Sequence, residues 1–275
     1  VERLASITYV VSDIRRPSLV DLLTAHDIEV VVHLAAVVSP GRTPDRDREY
    51  SINVEGTRNV LECCLEAGVR KIIVSSSGAA YGYHADNPEW IDEADALRGN
   101  SEFAYSDHKR LVEEMLLQWR QKHPQLGQLI FRPGTILGAS TQNQITDLFD
   151  RRVILGVSGS RTPFVFVWDQ DVVGAIRQGI LTEATGIYNL AGDGTLTLVE
   201  IANRMGKRYV ALPGSVIAGA LWLLRSVGAT QYGPEQVDFL RYRPVLANRR
   251  LKEEFNYTPA KTTEEVFDLF WKARS

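Results

Sequence analysis

A tyrosine and a lysine four residues apart are the first side chains in this 275-residue sequence that could do chemistry together. Tyr105 and Lys109 open a stretch with helical periodicity, so their spacing places both on one face of a helix. A phenol normally titrates near pH ~10, and a neighbouring ammonium favours the phenolate and lowers that pKa. The pair could therefore carry a proton to or from a secondary alcohol. The spacing alone is common, and a solvent-exposed helical turn is the alternative.

A run of hydroxyl residues about thirty positions earlier in the chain strengthens this interpretation. Ser75, Ser76 and Ser77 follow directly on an apolar, strand-like segment. Residues at the carboxyl end of a parallel strand point into the crevice where such sheets bind ligands. There a serine hydroxyl can hydrogen-bond a substrate oxygen whose charge changes during the reaction. A polar turn between strand and loop is the alternative.

The elements that must position these residues alternate between strands and helices. Apolar runs predict strands at residues 7–11, 28–34, 71–75, 129–131 and 186–191. Helical periodicity predicts helices at residues 18–26, 47–67 and 103–123, with a further apolar helix near 218–224 against the substrate cleft. Admission of a lipophilic substrate is the alternative interpretation of this apolar stretch. This alternation predicts an α/β fold, a doubly wound parallel Rossmann-type sheet with a smaller C-terminal substrate lobe.

These motifs, in this order, resemble the NAD-dependent epimerase/dehydratase family, the extended short-chain dehydrogenases, over nearly the whole chain. The resemblance rests on Tyr105 to Lys109, Ser75 to Gly82, and the segments Asp13-Ile14-Arg15, His33-Leu34-Ala35-Ala36, Asn53-Val54-Glu55-Gly56-Thr57 and Arg132-Pro133-Gly134-Thr135. It implies a dinucleotide-binding domain over residues 1–140 and a substrate lobe over most of 141–275, with 164–192 partly returning to the first domain.

The resemblance also implies the site residues. Ser77, Tyr105 and Lys109 would be catalytic, with Ser76 as a reserve for Ser77. The implied cofactor is NAD, with NADP as the other candidate, held by Asp13, Ile14, Leu34, Ala35, Ala36, Asn53, Ser75, Tyr105, Lys109 and Pro133. Substrate contacts are expected from Ser77, Gly78 and Arg243, where a surface arginine is the alternative interpretation of Arg243.

One departure from the family pattern is large. The family begins with a strand and a glycine-rich loop that holds the pyrophosphate at a helix N-terminus. Here no glycine precedes Asp13, and the matched part starts where the family's third strand starts. We therefore expect the first strands to be missing from the sheet and the sequence to be a shortened form of a longer protein.

The predicted function is an NAD(P)-dependent oxidoreductase or epimerase acting on a secondary alcohol, with a nucleotide sugar as the candidate substrate. Gly78 and Ala79 stand where the family's dehydratases carry an acidic pair, which speaks against dehydration. Simple oxidoreduction and epimerisation both remain open. The alternative from another class is a non-catalytic Rossmann-fold binding or regulatory protein that has lost dinucleotide binding.

Composition limits the partners. A net charge of −3 gives no sign of nucleic-acid or membrane binding, and no spacing predicts a metal site. We expect a cytoplasmic protein that binds a small-molecule substrate. A homodimer is also expected, with Leu111, Met115 and Trp119 as one stripe that could pair between subunits; burial against the chain's own sheet is the alternative.

Overall fold

The computed structural model describes residues 4–38, 45–228, 230 and 233–274. The helices are α1 (Leu19–Ala25), α2 (Arg46–Tyr50), α3 (Gly56–Glu66), α4 (Ala104–Lys122), α5 (Gln144–Phe149), α6 (Asp169–Leu181), α7 (Leu198–Arg204), α8 (Gly214–Ser226), α9 (Gln236–Arg241), α10 (Arg249–Glu253) and α11 (Thr263–Lys272). The strands are β1 (Val30–His33), β2 (Lys71–Ser75), β3 (Gly127–Pro133), β4 (Thr135–Leu137), β5 (Val153–Val157), β6 (Pro163–Phe164), β7 (Phe166–Trp168), β8 (Gly186–Leu190), β9 (Leu196–Thr197) and β10 (Arg208–Leu212). A π-helical turn, Ser51–Glu55, joins α2 to α3, and a 3₁₀ turn, Gly78–Tyr81, follows β2.

The main sheet has four parallel strands in the order β1-β2-β3-β8. Successive side chains of β2 and β3 point to opposite faces, as strand geometry requires. Ile72 and Ile130 pack against α3 and α4 on one face, whereas Ile73 and Leu129 pack against α6 and α10 on the other. Helices on both faces of a parallel sheet confirm the predicted α/β fold.

The predicted strand at residues 7–11 is wrong. This segment has no regular secondary structure, and the Val11 side chain is 96% exposed. By the family resemblance, residues 7–11 correspond to the third strand and β1 to the fourth. In the doubly wound order 3-2-1-4 these two strands are not neighbours, so β1 is not a pairing partner for residues 7–11. Asp13 to Arg16 dock instead on the helical face beside the π-helical turn, where the Asn59 amide donates to the carbonyls of Ile14 and Arg16 at 2.7 and 3.0 Å.

A second core lies outside the main sheet. It is built from α5, α7, α11 and the short strands near them, and it centres on Phe149, Phe164, Phe166, Phe267 and Phe270. These rings lie 5.7 to 6.3 Å apart and meet mostly edge to face, a favourable arrangement for aromatic pairs. Beside this core, β5 and β10 form a two-stranded parallel sheet. The smaller lobe predicted over residues 141–275 remains a prediction, and these elements are its candidates.

The apolar stretch near residues 218–224 does form a helix, α8, but its predicted position against the substrate cleft is wrong. α8 contacts α9, and it is α9 that contributes Gln236 and Phe239 to the main cavity described below. No residue of α8 is buried. Among the described residues, no helix is both long and apolar enough to cross a membrane.

Candidate active site

A cavity of about 350 Å³ opens at the carboxyl ends of β1, β2 and β3. Parallel sheets bind ligands at this edge. Most of the predicted site residues border the cavity, namely Leu34, Ala36, Ser75, Ser77, Gly78, Tyr105, Lys109, Pro133 and Arg243. Asp13, Ile14, Ala35 and Asn53 do not.

The structure distinguishes between the two candidate serines. Ser76 is 2% exposed, and its hydroxyl donates to the carboxylate of Glu113 inside the protein. Ser77 instead caps the 3₁₀ turn, where its hydroxyl accepts a hydrogen bond of 3.1 Å from the Ala79 amide. The Ser77 hydroxyl also interacts with the Tyr105 phenol and acts to lower its pKa. Ser77 is therefore the hydroxyl available to a ligand.

Tyr105 and Lys109 lie on the first turns of α4, which begins after Phe103 in an extended conformation. The Lys109 ammonium lies 5.7 Å from the centre of the Tyr105 ring and donates to the Ser75 carbonyl at 2.7 Å. An ammonium has three donors, and the structure shows one hydrogen bond from this one to the described residues. Its remaining donors can therefore bind hydroxyl groups of a ligand.

Burial controls the protonation of this pair. It raises the pKa of Tyr105 above its ordinary value, against the opposing effect of the Ser77 hydroxyl. It lowers the pKa of Lys109 to about 8, and the Glu113 carboxylate opposes that shift. The sequence predicts that Lys109 lowers the pKa of Tyr105, yet in the structure burial raises this pKa, and Lys109 is not among the groups that shift it. The phenol is therefore protonated at neutral pH.

Sequence reasoning missed a buried polar network beneath the cavity floor. Arg132, at the end of β3, donates to both carboxylate oxygens of Glu113 and to the Tyr81 hydroxyl at 2.7 Å. Tyr81 donates to the Asn189 side chain at 2.9 Å. Glu113 lies one helical turn after Lys109, within the apolar face of α4. A charged residue at such a position was the sequence feature that could have indicated the network. The network ties the loop after β2 to α4, β3 and β8.

Asn53 lies in the π-helical turn and supports the loop after β1 rather than the cavity. Its side chain accepts from the Val37 amide at 2.7 Å, donates to the Val37 carbonyl at 3.1 Å, and lies 3.3 Å from His108. π-helical turns occur frequently at functional sites. Asn53 therefore holds the segment that carries Leu34 and Ala36 against the helices.

Three further residues predicted to hold the cofactor, Asp13, Ile14 and Ala35, lie apart from the cavity. Asp13 accepts hydrogen bonds from the Arg15 guanidinium, which lowers the pKa of this exposed carboxyl. The Ile14 side chain lies against Gly56 at the start of α3. Ala35 is exposed beside the free edge of β1. The structure thus places Asp13 beside the π-helical turn and Ala35 just after β1, and their cofactor contacts remain predictions.

Arg243 occupies the opposite wall of the cavity. Its guanidinium lies over the rings of Phe164 and Phe239 at 4.2 and 4.9 Å, and Nη2 donates to the Thr135 hydroxyl at 3.2 Å. The buried Nη1 has no hydrogen-bond partner among the described residues. Burial lowers the pKa of Arg243, although a guanidinium stays charged. This arrangement favours an anionic group of a ligand and disfavours the surface-arginine alternative.

Gly78 is packed closely against the other end of the chain. A β-carbon at this position would lie 2.9 Å from the Leu246 side chain. A larger side chain at residue 78 would therefore displace Leu246, which is 1% exposed. The neighbourhood of Ser77 consequently has no room for an additional carboxylate at this position.

The stripe proposed for dimer contacts faces inward. Met115 is 6% exposed in the core between α3, α4 and the main sheet, and Leu111 and Trp119 pack against the same core. These three residues therefore serve the chain's own sheet, and a homodimer remains a prediction without them.

The chain is similar in sequence to several known proteins. An uncharacterised protein of Mycobacterium tuberculosis (strain ATCC 25618 / H37Rv) is 23% identical over 275 residues, 100% of this chain and 73% of the relative. The UDP-glucose 4-epimerase of Halalkalibacterium halodurans is 33% identical over 144 residues, 52% of this chain and 42% of that protein. The N-acetyl-alpha-D-glucosaminyl-diphospho-ditrans,octacis-undecaprenol 4-epimerase of Escherichia coli O157:H7 is 33% identical over 139 residues, 50% of this chain and 40% of that protein.

Solved structures share the fold. The UDP-glucose 4-epimerase of Thermotoga maritima, solved with UDP-glucose, superposes with a TM-score of 0.73 at 18% identity, covering 96% of this chain and 82% of that one. The Bordetella bronchiseptica enzyme WbmG, in complex with NAD and UDP, gives 0.72 at 17% identity, covering 98% and 80%.

The sequence profile of the NAD dependent epimerase/dehydratase family matches residues 1–169, which include Ser77, Tyr105 and Lys109. This match spans more than half of the chain and agrees with the parallel sheet and the position of the cavity. The chain belongs to the NAD-dependent epimerase/dehydratase family.

Proposed function

We propose that this protein is an NAD(P)-dependent oxidoreductase or epimerase that acts on a secondary alcohol, with NAD as its cofactor and Tyr105 as its acid/base. The observation that carries the proposal is the convergence of Ser77, Tyr105 and Lys109 on one cavity at the carboxyl edge of a parallel sheet. A binding protein without catalysis has no need for these three groups together. The competing hypothesis is a non-catalytic Rossmann-fold binding or regulatory protein.

The three residues divide the work of moving one proton. The Tyr105 phenol gives its proton to a substrate oxygen, or as phenolate removes one from a carbinol. The Ser77 hydroxyl hydrogen-bonds the same oxygen and orients it. The Lys109 ammonium, held by the Ser75 carbonyl, stabilises the phenolate while the proton is on the substrate.

The cavity fits the nicotinamide end of the cofactor. Leu34, Ala36 and Pro133 give an apolar wall, and the donors of Lys109 that are not used by Ser75 suit ribose hydroxyls. When bound, nicotinamide dinucleotide supplies the acceptor or donor of a hydride at the carbinol carbon. The support for NAD comes from this end of the site and from family membership.

A nucleotide sugar is the substrate class that the opposite wall supports. The partnerless Nη1 of Arg243 matches a phosphate oxygen, since guanidinium groups bind phosphate as a fork. Two similar proteins are named as UDP-glucose 4-epimerases, and one of their structures holds UDP-glucose. Dehydration is disfavoured because Gly78 and Ala79 offer no carboxylate and Leu246 fills the space beside Gly78.

The test is a fluorescence titration of the full chain with NADH and, separately, NADPH, followed by turnover assays with UDP-glucose and UDP-galactose. We expect saturable binding of NADH and interconversion or oxidation of a sugar. Tyr105→Phe should bind NADH like the unmodified protein and lose turnover by about a hundredfold or more. A folded chain that binds neither dinucleotide would support the non-catalytic class and contradict the proposal.

A further inference from the structure

His108, the residue immediately before Lys109 on α4, is a buried side chain that the proposed chemistry does not use. It is 2% exposed. Its ring lies edge-on to the Tyr50 ring at 5.6 Å, and its Nδ1 lies 3.3 Å from the Asn53 amide nitrogen. Tyr50 ends α2, and Asn53 lies in the π-helical turn that follows. His108 therefore joins the helix that carries Tyr105 and Lys109 to the segment that supports the loop after β1.

The contacts of Asn53 determine where the His108 ring carries its proton. The Asn53 oxygen accepts from the Val37 amide at 2.7 Å, and the Asn53 nitrogen donates to the Val37 carbonyl at 3.1 Å. Exchanging the two ends of the side-chain amide would bring donor against donor and acceptor against acceptor at Val37. The nitrogen that faces His108 is therefore a donor, and Nδ1 of His108 must accept from it. This requires a neutral ring with its proton on Nε2.

Protonation of His108 would turn this acceptor into a second donor. Asn53 could then meet the ring with its oxygen only by giving up both hydrogen bonds to Val37, so the two sets of contacts exclude each other. The arrangement in the structure has no proton on Nδ1. It is therefore stable above the pKa of His108 and is lost as the pH falls through that value.

The groups around His108 keep its ring neutral at pH 7. Burial has the largest effect and lowers the pKa of His108 below its ordinary value of 6.5. Arg46 on α2 also opposes protonation, whereas Asp107 on α4 favours it, and these two side chains are paired with each other at 3.0 Å. Tyr50 and the uncharged Asn53 contact the ring directly. Release of the Asn53 contacts is therefore expected in mild acid, below the ordinary range of a histidine.

We propose that neutral His108 is a positioning residue that holds the loop after β1 through Asn53, and that its protonation releases this loop. The loop carries Leu34, Ala36 and Val38, which border the cavity. The hold on the loop follows from the contacts of the free protein. Its consequence for the cofactor rests on the proposed function, in which this loop forms part of the nicotinamide wall.

Hydrogen exchange of the Val37 amide tests the hold on the loop without any ligand. Its protection factor, which is corrected for the intrinsic effect of pH on exchange, should fall by about tenfold or more from pH 7 to pH 5. His108→Phe keeps a ring beside Tyr50 but removes the acceptor, so protection should already be low at pH 7. His108→Asn offers an oxygen bonded to Cγ, as Nδ1 is, and does not titrate. This variant should protect Val37 at pH 7 and lose much less protection at pH 5.

The amides of β2 provide the internal control because they lie in the middle of the main sheet. At a given pH they should be protected equally in His108→Phe and in the unsubstituted protein, which separates release of the loop from loss of the fold. The inference is overturned if Val37 is protected equally in these two proteins at pH 7. It is also overturned if His108→Asn shows the full loss of protection at pH 5.

A titration with NADH at pH 7 tests the consequence for the cofactor. The dissociation constant should rise by about tenfold in His108→Phe and return close to its original value in His108→Asn. Equal affinity in all three proteins would overturn the link between His108 and the cofactor. A folded chain that binds no dinucleotide but shows the expected exchange of Val37 would contradict the proposed function and still support the role of His108.

Discussion

The guanidinium of Arg132 and the carboxylate of Glu113 form a two-pronged ion pair, 2.6 to 3.0 Å long, directly below the serine loop. Their side chains are 4% and 2% exposed. Arg132 also donates to the Glu93 carbonyl at 3.1 Å, and Glu113 accepts from Ser76. The pair thus joins the end of β3 to α4 and fixes the loop that carries Ser77.

Removing one member of this pair should destabilise the protein strongly. Glu113→Leu leaves the Arg132 charge buried without its partner, so the free energy of unfolding should fall by about 3–5 kcal/mol. The double variant Glu113→Leu/Arg132→Met removes both charges and should recover much of that loss. Urea unfolding measures each value. Glu114→Leu, one residue along α4 and paired only at the surface with Arg110, should change stability by less than about 1 kcal/mol.

The two neighbouring serines should separate chemistry from stability. Ser77→Ala removes the hydroxyl beside Tyr105 and should lower kcat by about tenfold to a thousandfold, while loss of its cap on the 3₁₀ turn should lower stability by about 1 kcal/mol. Ser76→Ala removes a hydroxyl that serves Glu113 and should lower stability by about 1–3 kcal/mol, with kcat largely retained. Steady-state kinetics and urea unfolding measure the two effects. If Ser76→Ala lowered kcat and Ser77→Ala did not, the assignment of Ser77 as the catalytic hydroxyl would be wrong.

A buried histidine should make the protein sensitive to mild acid. His33 Nε2 lies 3.0 Å from the Thr57 hydroxyl, and because that hydroxyl donates to the Asn53 carbonyl, His33 must donate to it. Burial, aided by Lys109, lowers the pKa of His33 from 6.5 to about 4. The folded state therefore binds fewer protons than the unfolded state between these values. Its contribution to stability is present above pH ~6.5 and is lost as the pH falls towards ~4.

From pH 7 to pH 5 this group should cost about 2 kcal/mol of unfolding free energy. In His33→Leu the drop between these two pH values should be smaller by that amount, whatever the variant's stability at pH 7. Burial also lowers the pKa of His108, so part of the sensitivity should remain. His26→Leu changes a histidine at an exposed position, and its free energy of unfolding should depend on pH as in the unsubstituted protein. If the free energy of unfolding fell equally in His33→Leu and in the unsubstituted protein, protonation of His33 would have no effect on stability.

Local pattern predicted the elements that are buried on both sides. β2 has the predicted bounds, because its apolar run has a strand partner on each side. Residues 7–11 have the same β-branched character but lack a partner, and no local pattern shows whether a partner exists. The Ser77, Tyr105 and Lys109 set was predictable because chemistry restricts those residue types and their spacing.

Two features could not be predicted from the sequence because they depend on tertiary contacts. Glu113 and Arg132 belong to residue types that are mostly exposed, yet these two are buried as an ion pair. The apolar α8 was expected to lie against the substrate cleft, yet α9 occupies the cavity wall in its place. In both cases the residue types point to the wrong degree of burial, because burial there depends on how elements distant in the sequence pack together.

Arg243 provides the sharpest test of an anionic substrate. Its Nη1 should donate to a phosphate oxygen, and a hydrogen bond to a charged group contributes about 1.5–3 kcal/mol. Arg243→Leu should therefore raise KM for a nucleotide sugar by about tenfold to a hundredfold, with a smaller change in kcat and no change in NADH affinity. Arg243→Lys should recover little of this, since a lysine cannot form the guanidinium fork or stack on Phe164 and Phe239 in the same way. Arg241→Leu, on α9 but outside the cavity, should leave KM unchanged. If both leucine variants raised KM equally, the effect would come from general charge rather than from a phosphate bound at Arg243.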